Sequence, residues 1–412
     1  MKKKIITLIG CLLTVALALS FAFCSQPLFG AAREPKLPEK EEAPEEIFPE
    51  APEESLEAPE ETLEVPAAPK RSITVCGESV LPSARSVDLS HLNLTAPEEL
   101  ADLAQLPAGM SVKLLGKPMT FAQTEAISEA FPELKFSFRY SAKELGLGEE
   151  ERFINSAVKE LDLSGYQGIR LDLLEELLAH MPNLQKLVMC DCGFSNEEMA
   201  VLRDAHPEME VVWRVYMGGG AYSLRTDGLV FSAMAGEGDL KPTLISEDVQ
   251  VLRYCRDLRA LDLGHMQLED ISFLSDLPEL RLLILADCPF TDMTEIGKLS
   301  HLTYLEVFLN FSVSTLEPLS HLSDLRDLNI SYMPHANDYE YLYGLKNLER
   351  LWANHCELTY EARQGLMENI VPTCEIHAME DESSTGGWRD DNPKYLALVE
   401  MFDTGRYNAI FD

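Results

Sequence analysis

The sequence predicts an α/β fold in which short parallel strands, one from each repeat, stack side by side into a curved solenoid. Two observations predict this fold: a leucine pattern that recurs in the second half of the chain, and longer strand–helix modules that recur in the first half. The 412 residues are enough for one large repeat array or about two to three ordinary domains, and a hydrophobic fraction of 46% is enough to bury a core.

The leucine pattern is the clearest signal. Leu-x-x-Leu-x-Leu, with apolar variants at the last site, starts at Leu258, Leu280, Leu302, Leu325 and Leu348, at intervals of 22, 22, 23 and 23 residues. A second apolar pair follows in each of the first four units, as at Leu274 and Leu277. Alternating leucines on a short strand face one side, and no single unit can bury them alone. The units are therefore predicted to stack.

A further position in each repeat points to a buried turn. Five residues after the second leucine stand Met266, Cys288, Asn310, Met333 and Cys356, and Cys192 holds the equivalent place in an earlier unit. Asn or Cys there can satisfy polar groups of the turning backbone. With this spacing the chain resembles the leucine-rich-repeat family, in particular bacterial internalin-like surface and secreted proteins. The resemblance implies a parallel sheet on the concave face, with helices and tighter turns on the convex face.

Residues 72–245 are predicted to hold a more helical block of two related modules and a connector. Val87 to Arg139 and Leu161 to Arg214 each have the order strand, helix, strand, helix, strand. The predicted helices include 173–181 and 195–205, where Ser195 can cap the helix and Glu198 stands three residues later. The three glycines 218–220 in the connector predict a turn or hinge.

Residues 246–376 are predicted to be the leucine-rich repeats together with a closing cap. The cap consists of a helix over 360–370, Pro372 and a last strand at 374–376, and it would cover the open end of the array. The acidic tail, 377–412, contains Gly386-Gly387-Trp388-Arg389 and a short amphipathic segment, Pro393–Phe402. Leu396, Val399 and Phe402 are predicted to share the face that docks on the body.

The N-terminal part predicts export. Residues 1–32 have three lysines, an apolar run from Ile5 to Cys24, and small residues before a cleavage point after Ala32, as in a signal peptide. The apolar run is also long enough for an uncleaved membrane anchor, and this alternative stays open. Residues 33–71, with eight prolines and thirteen glutamates, predict an extended, disordered linker. The body is expected to be extracytoplasmic, secreted or at the cell surface.

The charge restricts the class of partner. A formal net charge of −35 repels phosphate backbones, because nucleic-acid affinity depends largely on Lys and Arg. We therefore expect a protein partner, no nucleic acid, and no membrane contact except through an N-terminal anchor.

No motif for catalysis or for a cofactor is found. The sequence lacks zinc, nucleophile-elbow, phosphate-loop and calcium-loop patterns. Cys190 and Cys192 are half of a metal site at most, and structural zinc needs four ligands. The expectation is a non-enzyme with no cofactor and no metal.

The strand positions between the leucines should point outward from the concave face. The candidate partner-binding residues are Asp262, Leu282, Ile284, Tyr304, Glu306, Phe308, Asp327, Asn329, Arg350 and Trp352. Aromatic and Arg side chains ringed by polar groups are typical of protein-binding hot spots. The alternative is that the tail helix or the linker covers these aromatics within the same chain. The two functional hypotheses are an exported, non-catalytic protein–protein interaction module and a structural stalk of the envelope with no specific partner.

Overall fold

The computed structural model describes residues 72–235, 242–379, 387–389 and 392–412. The predicted signal segment or anchor and the predicted linker lie outside the described residues. No helix in the described part is both long enough and apolar enough to cross a membrane.

The described chain begins with an antiparallel hairpin of β1 (Ile73–Val75) and β2 (Glu78–Val80). A four-stranded sheet follows, in the order β3 (Ser86–Asp88), β4 (Ser111–Leu114), β5 (Lys135–Ser141) and β6 (Phe153–Asn155). The first three strands are parallel, and β6 closes the sheet antiparallel to β5. Helix α1 (Phe121–Ala130) connects β4 to β5. The connection from β3 to β4, predicted as a helix, is a 3₁₀ helix at Pro97–Gln105.

The second module repeats this arrangement with a three-stranded parallel sheet. Its strands are β7 (Glu160–Asp162), β8 (Lys186–Val188) and β9 (Glu210–Val212). Its two helices are α2 (Leu171–Ala179) and α3 (Asn196–Ala205). The predicted cap of α3 is present: Glu198 N–H donates to Ser195 Oγ at 3.2 Å, and Ser195 N–H donates to Glu198 Oε2 at 2.8 Å. This reciprocal pairing satisfies two of the amides that a helix start leaves unpaired.

The three glycines form a tight turn rather than a phosphate loop. They join β10 (Arg214–Met217) to β11 (Tyr222–Arg225) in an antiparallel pair. All three have positive φ, at 56°, 65° and 92° for Gly218, Gly219 and Gly220. Side chains other than glycine rarely adopt that region, so the turn depends on this residue type.

The leucine repeats form a seven-stranded parallel sheet with strands in chain order. The strands are β12 (Val230–Ser232), β13 (Ala260–Asp262), β14 (Leu282–Ile284), β15 (Tyr304–Glu306), β16 (Asp327–Asn329), β17 (Arg350–Trp352) and β18 (Glu375–His377). Helix α4 (Ser246–Val249) lies between β12 and β13, α5 (Tyr360–Asn369) between β17 and β18, and α6 (Pro393–Thr404) follows the sheet. The parallel sheet of an α/β fold is confirmed, and β18 lies where the closing cap was predicted. Strand β12 was not predicted.

The repeats return from strand to strand by short 3₁₀ turns. These turns are Ser272–Asp276, Ile296–Lys298, Glu317–His321 and Tyr339–Leu342. A unit of 22 residues leaves little chain for the return, and 3₁₀ turns are used in such short pieces. The central leucine of each ladder strand, from Leu261 to Leu351, is completely buried in the main core.

The Asn/Cys position has the predicted role. Asn310 Nδ2 donates to Leu285 O at 2.9 Å, and Asn310 Oδ1 accepts from Cys288 N–H at 2.8 Å. The thiol of Cys288 lies 3.4 Å from Leu263 O, one repeat earlier, and that of Cys356 lies 3.1 Å from Ile330 O. Each side chain therefore bonds to the turning backbone of the preceding unit.

Candidate functional site

The candidate site is the side of the seven-stranded sheet opposite the leucine core, here called the ladder face. Strand pairing aligns its side chains in two rows within the strands and a third just beyond them. The first row is Leu282, Tyr304, Asp327 and Arg350; the second is Asp262, Ile284, Glu306, Asn329 and Trp352; the third includes Phe308. The structure thus brings all the predicted site residues onto one face, in the register that the leucine spacing predicts.

The expectation that these side chains are exposed is wrong. Every one of these side chains is buried, and Trp352 and Tyr304 are 1% and 0% exposed. The cover is the C-terminal segment, residues 387–389 and 392–412, which lies across the ladder face. The sequence analysis left two alternatives open: a face free for a partner, or a face covered within the same chain. The structure has the second, with the tail as the cover. The physical reason is that the tail carries aromatic and cationic groups complementary to the face.

Trp388 is the centre of this cover. Its indole is 0% exposed and lies 5.3 Å from the ring centroid of Trp352, edge to face, and 5.4 Å from that of Tyr304. The guanidinium carbon of Arg350 lies 4.3 Å from the Trp388 ring centroid, within cation–π range. Gly387, just before Trp388, has a φ of 74°, a backbone conformation that favours glycine.

The carboxylate of Glu306 is the polar partner of this aromatic cluster. It is 0% exposed and accepts from Trp388 Nε1–H at 2.9 Å, from Arg389 Nη2–H at 3.4 Å and from the hydroxyl of Tyr304. Desolvation and the neighbouring Glu306 raise the pKa of Tyr304 well above its ordinary value. Burial opposes the charge of Arg389, yet Glu306 outweighs it, so the pKa of Arg389 is raised. Two of the three donors to this buried carboxylate therefore come from the tail.

Asp327 is a second acidic anchor, one strand further along. Its side chain is 3% exposed, and its two oxygens pair with Arg350 Nε at 2.5 Å and with Lys394 Nζ at 2.9 Å. Lys394 also reaches Glu349 Oε2 at 2.6 Å, at the edge of the sheet. The first turn of α6 is thus held by two carboxylates.

Helix α6 docks as predicted, although on a different face. Its buried residues are Tyr395, Leu398, Met401 and Phe402, whereas Leu396 is 59% exposed. The predicted contact face with Leu396 and Val399 was therefore wrong at Leu396. The helix packs over β12, a strand the sequence analysis did not predict and therefore could not use as a docking surface.

The end of the tail lies on the basic side of the sheet. Phe411 packs edge to face on Tyr304 at 5.8 Å, and its carbonyl accepts from the hydroxyl of Thr303 at 2.5 Å. Asp412 approaches Arg259 at 3.8 Å, beside a cavity of about 460 Å³ that Arg281 and Arg326 also line. The tail thus places cations on an acidic part of the face and a carboxylate among arginines.

Asp262 is the acidic group at the other end of the ladder face. It accepts from Ser232 Oγ–H at 2.8 Å and from Gly264 N–H at 3.0 Å. Desolvation raises its pKa to about 6, although both of these hydrogen bonds oppose the shift. Asp262 is consequently a buried carboxyl that keeps its proton to a higher pH than an exposed aspartate does.

The tail leaves part of the face unsatisfied. The buried donors Arg350 Nη1, Arg350 Nη2 and Trp352 Nε1 have no hydrogen-bond partner among the described residues. An unpaired buried donor costs about 1–3 kcal/mol. Within the described residues, the cover is therefore complementary in charge but incomplete in hydrogen bonding.

Sequence reasoning missed the residues that complete the site. Trp388 and Arg389 were noted in the tail without a role, and Lys394 and Ser232 were not identified. The signal that could have found them is composition: an indole and two cations within seven residues of an acidic tail match an aromatic, acidic ladder face.

The buried thiols are a further set of titratable groups. Burial raises the pKa of the Cys255 and Cys288 thiols to about 12, so neither is a ready nucleophile. Across residues 72–235, 242–379 and the described tail, no group of three or more His, Cys, Asp or Glu side chains is placed to hold a metal ion.

Comparisons with known proteins identify structural neighbours only. No protein-family model and no curated protein matches the chain. The matching solved structures include internalin C2 from Listeria monocytogenes, with 24% sequence identity and a TM-score of 0.28. The match covers 39% of this chain and 77% of that chain. The internalin inlF from the same organism has 17% sequence identity and a TM-score of 0.27, and the match covers 75% of this chain and 86% of that chain.

A third neighbour is TLR13, solved as a complex with the RNA ssRNA13. It has 18% identity and a TM-score of 0.23, and the match covers 68% of this chain and 44% of that one. Two of these neighbours are internalins, the kind of protein that the sequence resembles. At such scores they say nothing of function, which has to be argued from the residues of the ladder face.

Proposed function

We propose that the protein is an exported, non-catalytic protein–protein interaction module. In this proposal the repeats form a curved solenoid whose concave surface is the ladder face, and a protein partner binds there. The observation that carries the proposal is that this face already holds a peptide segment, with Trp388 fully buried between Trp352 and Tyr304. Buried aromatic and Arg anchors are the hallmark of binding hot spots.

The chemistry of the face supports a protein partner. Its acidic groups, Glu306 and Asp327, lie beside aromatic rings and are paired with Arg and Lys side chains. A polypeptide can supply indole, guanidinium and ammonium groups at fixed spacing, whereas the phosphates of a nucleic acid would meet carboxylates. The net charge of −35 also disfavours binding to a nucleic acid.

Export and the lack of catalysis are part of the same proposal. The positively charged, then apolar N-terminus supports export by a signal peptide, with an anchor as the alternative. The high pKa values of the buried thiols support a role without catalysis. Mass measurement of the mature N-terminus, after protease shaving of intact cells, separates cleavage from anchoring.

Capture from surface extracts of the source cells tests partner binding. Three full-length proteins are compared: the wild type, Glu306→Gln, which keeps the shape of the face, and the control Phe311→Ala, a residue that is 49% exposed. The proposal expects a set of captured proteins that changes with Glu306→Gln and not with Phe311→Ala. The same captured set from all three proteins would favour the stalk function.

A further inference from the structure

We infer that the ladder face is a recognition groove for an aromatic–basic peptide segment, and that the described tail residues, 387–389 and 392–412, are its resident occupant, which a partner must displace. The inference rests on the proposed function, since it names the chemistry of the partner and the step that admits it. Three features of the face carry it.

The first feature is charge complementarity along the groove. At one part of the face, Trp388 Nε1 and Arg389 Nη2 donate to Glu306 at 2.9 and 3.4 Å. Beside them, Lys394 Nζ donates to Asp327 at 2.9 Å and to Glu349 at 2.6 Å. About twenty residues later, by the sequence numbering, Asp412 meets Arg259. The groove therefore selects both the side-chain types and their order along a segment.

The second feature is the cost of leaving the groove empty. Removal of the tail would take the Trp388 and Arg389 donors from Glu306 and the Lys394 donor from Asp327, leaving only the contacts with Tyr304 and Arg350. It would also open to water the rings of Tyr304 and Trp352, which are 0% and 1% exposed with the tail in place, and this is unfavourable. Any segment that displaces the tail must supply an indole or similar ring and at least one cation in the same positions.

The third feature is that the tail is an imperfect ligand. Arg350 and Trp352 are only 7% and 1% exposed. Three of their buried donors have no hydrogen-bond partner among the described residues: Arg350 Nη1, Arg350 Nη2 and Trp352 Nε1. A partner segment that keeps the Trp and cation contacts and also presents carbonyl or carboxylate oxygens here gains hydrogen bonds that the described tail residues do not make. That difference gives the partner the advantage it needs over a covalently attached competitor.

A synthetic, fluorescently labelled peptide of residues 386–412 is the probe. It is titrated into the wild-type chain and into full-length Trp388→Ala/Lys394→Ala, in which the resident segment is weakened, and folding is checked by circular dichroism. We expect binding to the variant to be tighter by about tenfold or more, because the fraction of open grooves limits the apparent affinity. Lys394→Glu alone, which keeps Trp388, is the second variant, and its affinity for the probe should lie between the other two.

Matched peptides test the chemistry. The peptide with Trp388→Ala and Lys394→Ala should lose binding to the weakened chain. The peptide with Leu396→Ala and Glu400→Ala, two exposed positions, should bind as the parent does. Adding Asp327→Asn to the weakened chain should reduce its affinity for the parent peptide.

Three results would overturn the inference. Equal affinity for wild type and variant means that the tail does not compete, and no binding to either means that the face does not recognise this chemistry in a separate molecule. A wild-type dimer in light scattering that the double variant lacks means that the occupant comes from a second copy. Each of these leaves the capture experiment unchanged, so failure of the inference is distinguishable from failure of the proposed function.

Discussion

Replacing Trp388 tests the structure of the covered face most directly. The indole is fully buried between two rings and donates to a carboxylate that has no exposure. Truncation of a buried aromatic side chain to Ala costs about 3–5 kcal/mol. Trp388→Phe keeps most of the ring contacts and loses the hydrogen bond to a charged group, at about 1.5–3 kcal/mol. The free energy that holds the tail on the ladder face should therefore be smallest in Trp388→Ala, intermediate in Trp388→Phe and largest in the wild type.

The loss should appear as local undocking of the tail before the repeats unfold. Leucine contacts hold the sheet without the tail, whereas the tail depends on its contacts with the ladder face. A loss of about 3 kcal/mol changes the ratio of docked to undocked tail by on the order of a hundredfold. Trp352, which is 1% exposed in the docked state, would then meet solvent.

Tryptophan fluorescence is a suitable assay, because the chain has three tryptophans. In a Trp213→Phe background, Trp388→Ala leaves Trp352 as the single reporter. We expect its emission to shift to the red and acrylamide quenching to rise, with Leu396→Ala as a control that changes neither. Unchanged emission and quenching in Trp388→Ala, together with unchanged denaturation midpoints, would refute the view that Trp388 holds the tail on the face.

Three further predictions concern other buried groups. Since the pKa of Asp262 is raised to about 6 in the folded state, against about 4 when unfolded, the folded protein keeps a proton that the unfolded chain releases. The stability that Asp262 contributes should fall by up to about 3 kcal/mol as pH rises from about 4 to 6, so the difference in unfolding free energy between wild type and Asp262→Asn in urea titrations should change by that amount. Asn310→Ala removes two hydrogen bonds at a fully buried position and should lower the free energy of unfolding by about 2–4 kcal/mol, whereas exposed Phe311→Ala should change it by less than about 0.5 kcal/mol in the same denaturation assay. With pKa values of about 12, the thiols of Cys255 and Cys288 should resist maleimide at pH near 8 until the protein is unfolded, as mass spectrometry of labelled peptides would show, and rapid native labelling would contradict their burial.

The strand register of the repeats was predictable because one physical rule governs it. Side chains alternate across a strand, so a leucine fixed in the core at Leu305 places Tyr304 and Glu306 on the other face. The constant repeat interval then aligns these positions across neighbouring strands. The caps follow from equally local rules, as Ser195 and Glu198 illustrate.

Strand β12 was not predictable from the repeat pattern. Its residues, Val230–Ser232, lack the leucine spacing and follow a glycine-containing turn, so only the tertiary structure reveals their pairing with β13. Ser232 illustrates the consequence, since its hydrogen bond to Asp262 joins residues thirty positions apart. A contact at that distance along the chain has no local signature.

The outward composition of the ladder face was in the sequence, but its exposure was not. Residues Tyr304 and Trp352 look the same in the sequence whether a partner, solvent or the chain itself lies over them. The decision depended on Trp388 and Lys394, which the chain brings back over the sheet from beyond the last repeat.

Local periodicity by itself determined the repeats, the inward leucines, the buried Asn/Cys position and the list of outward residues. Each of these follows from backbone geometry that repeats within about twenty residues, so the spacing of residue types is sufficient to reveal it. Only the tertiary structure decided what lies on the outward residues. That outcome is a competition among tail, solvent and partner for the same rings and carboxylates, and it is settled by the burial of Trp388 and the pairing of Glu306 and Asp327 across the fold.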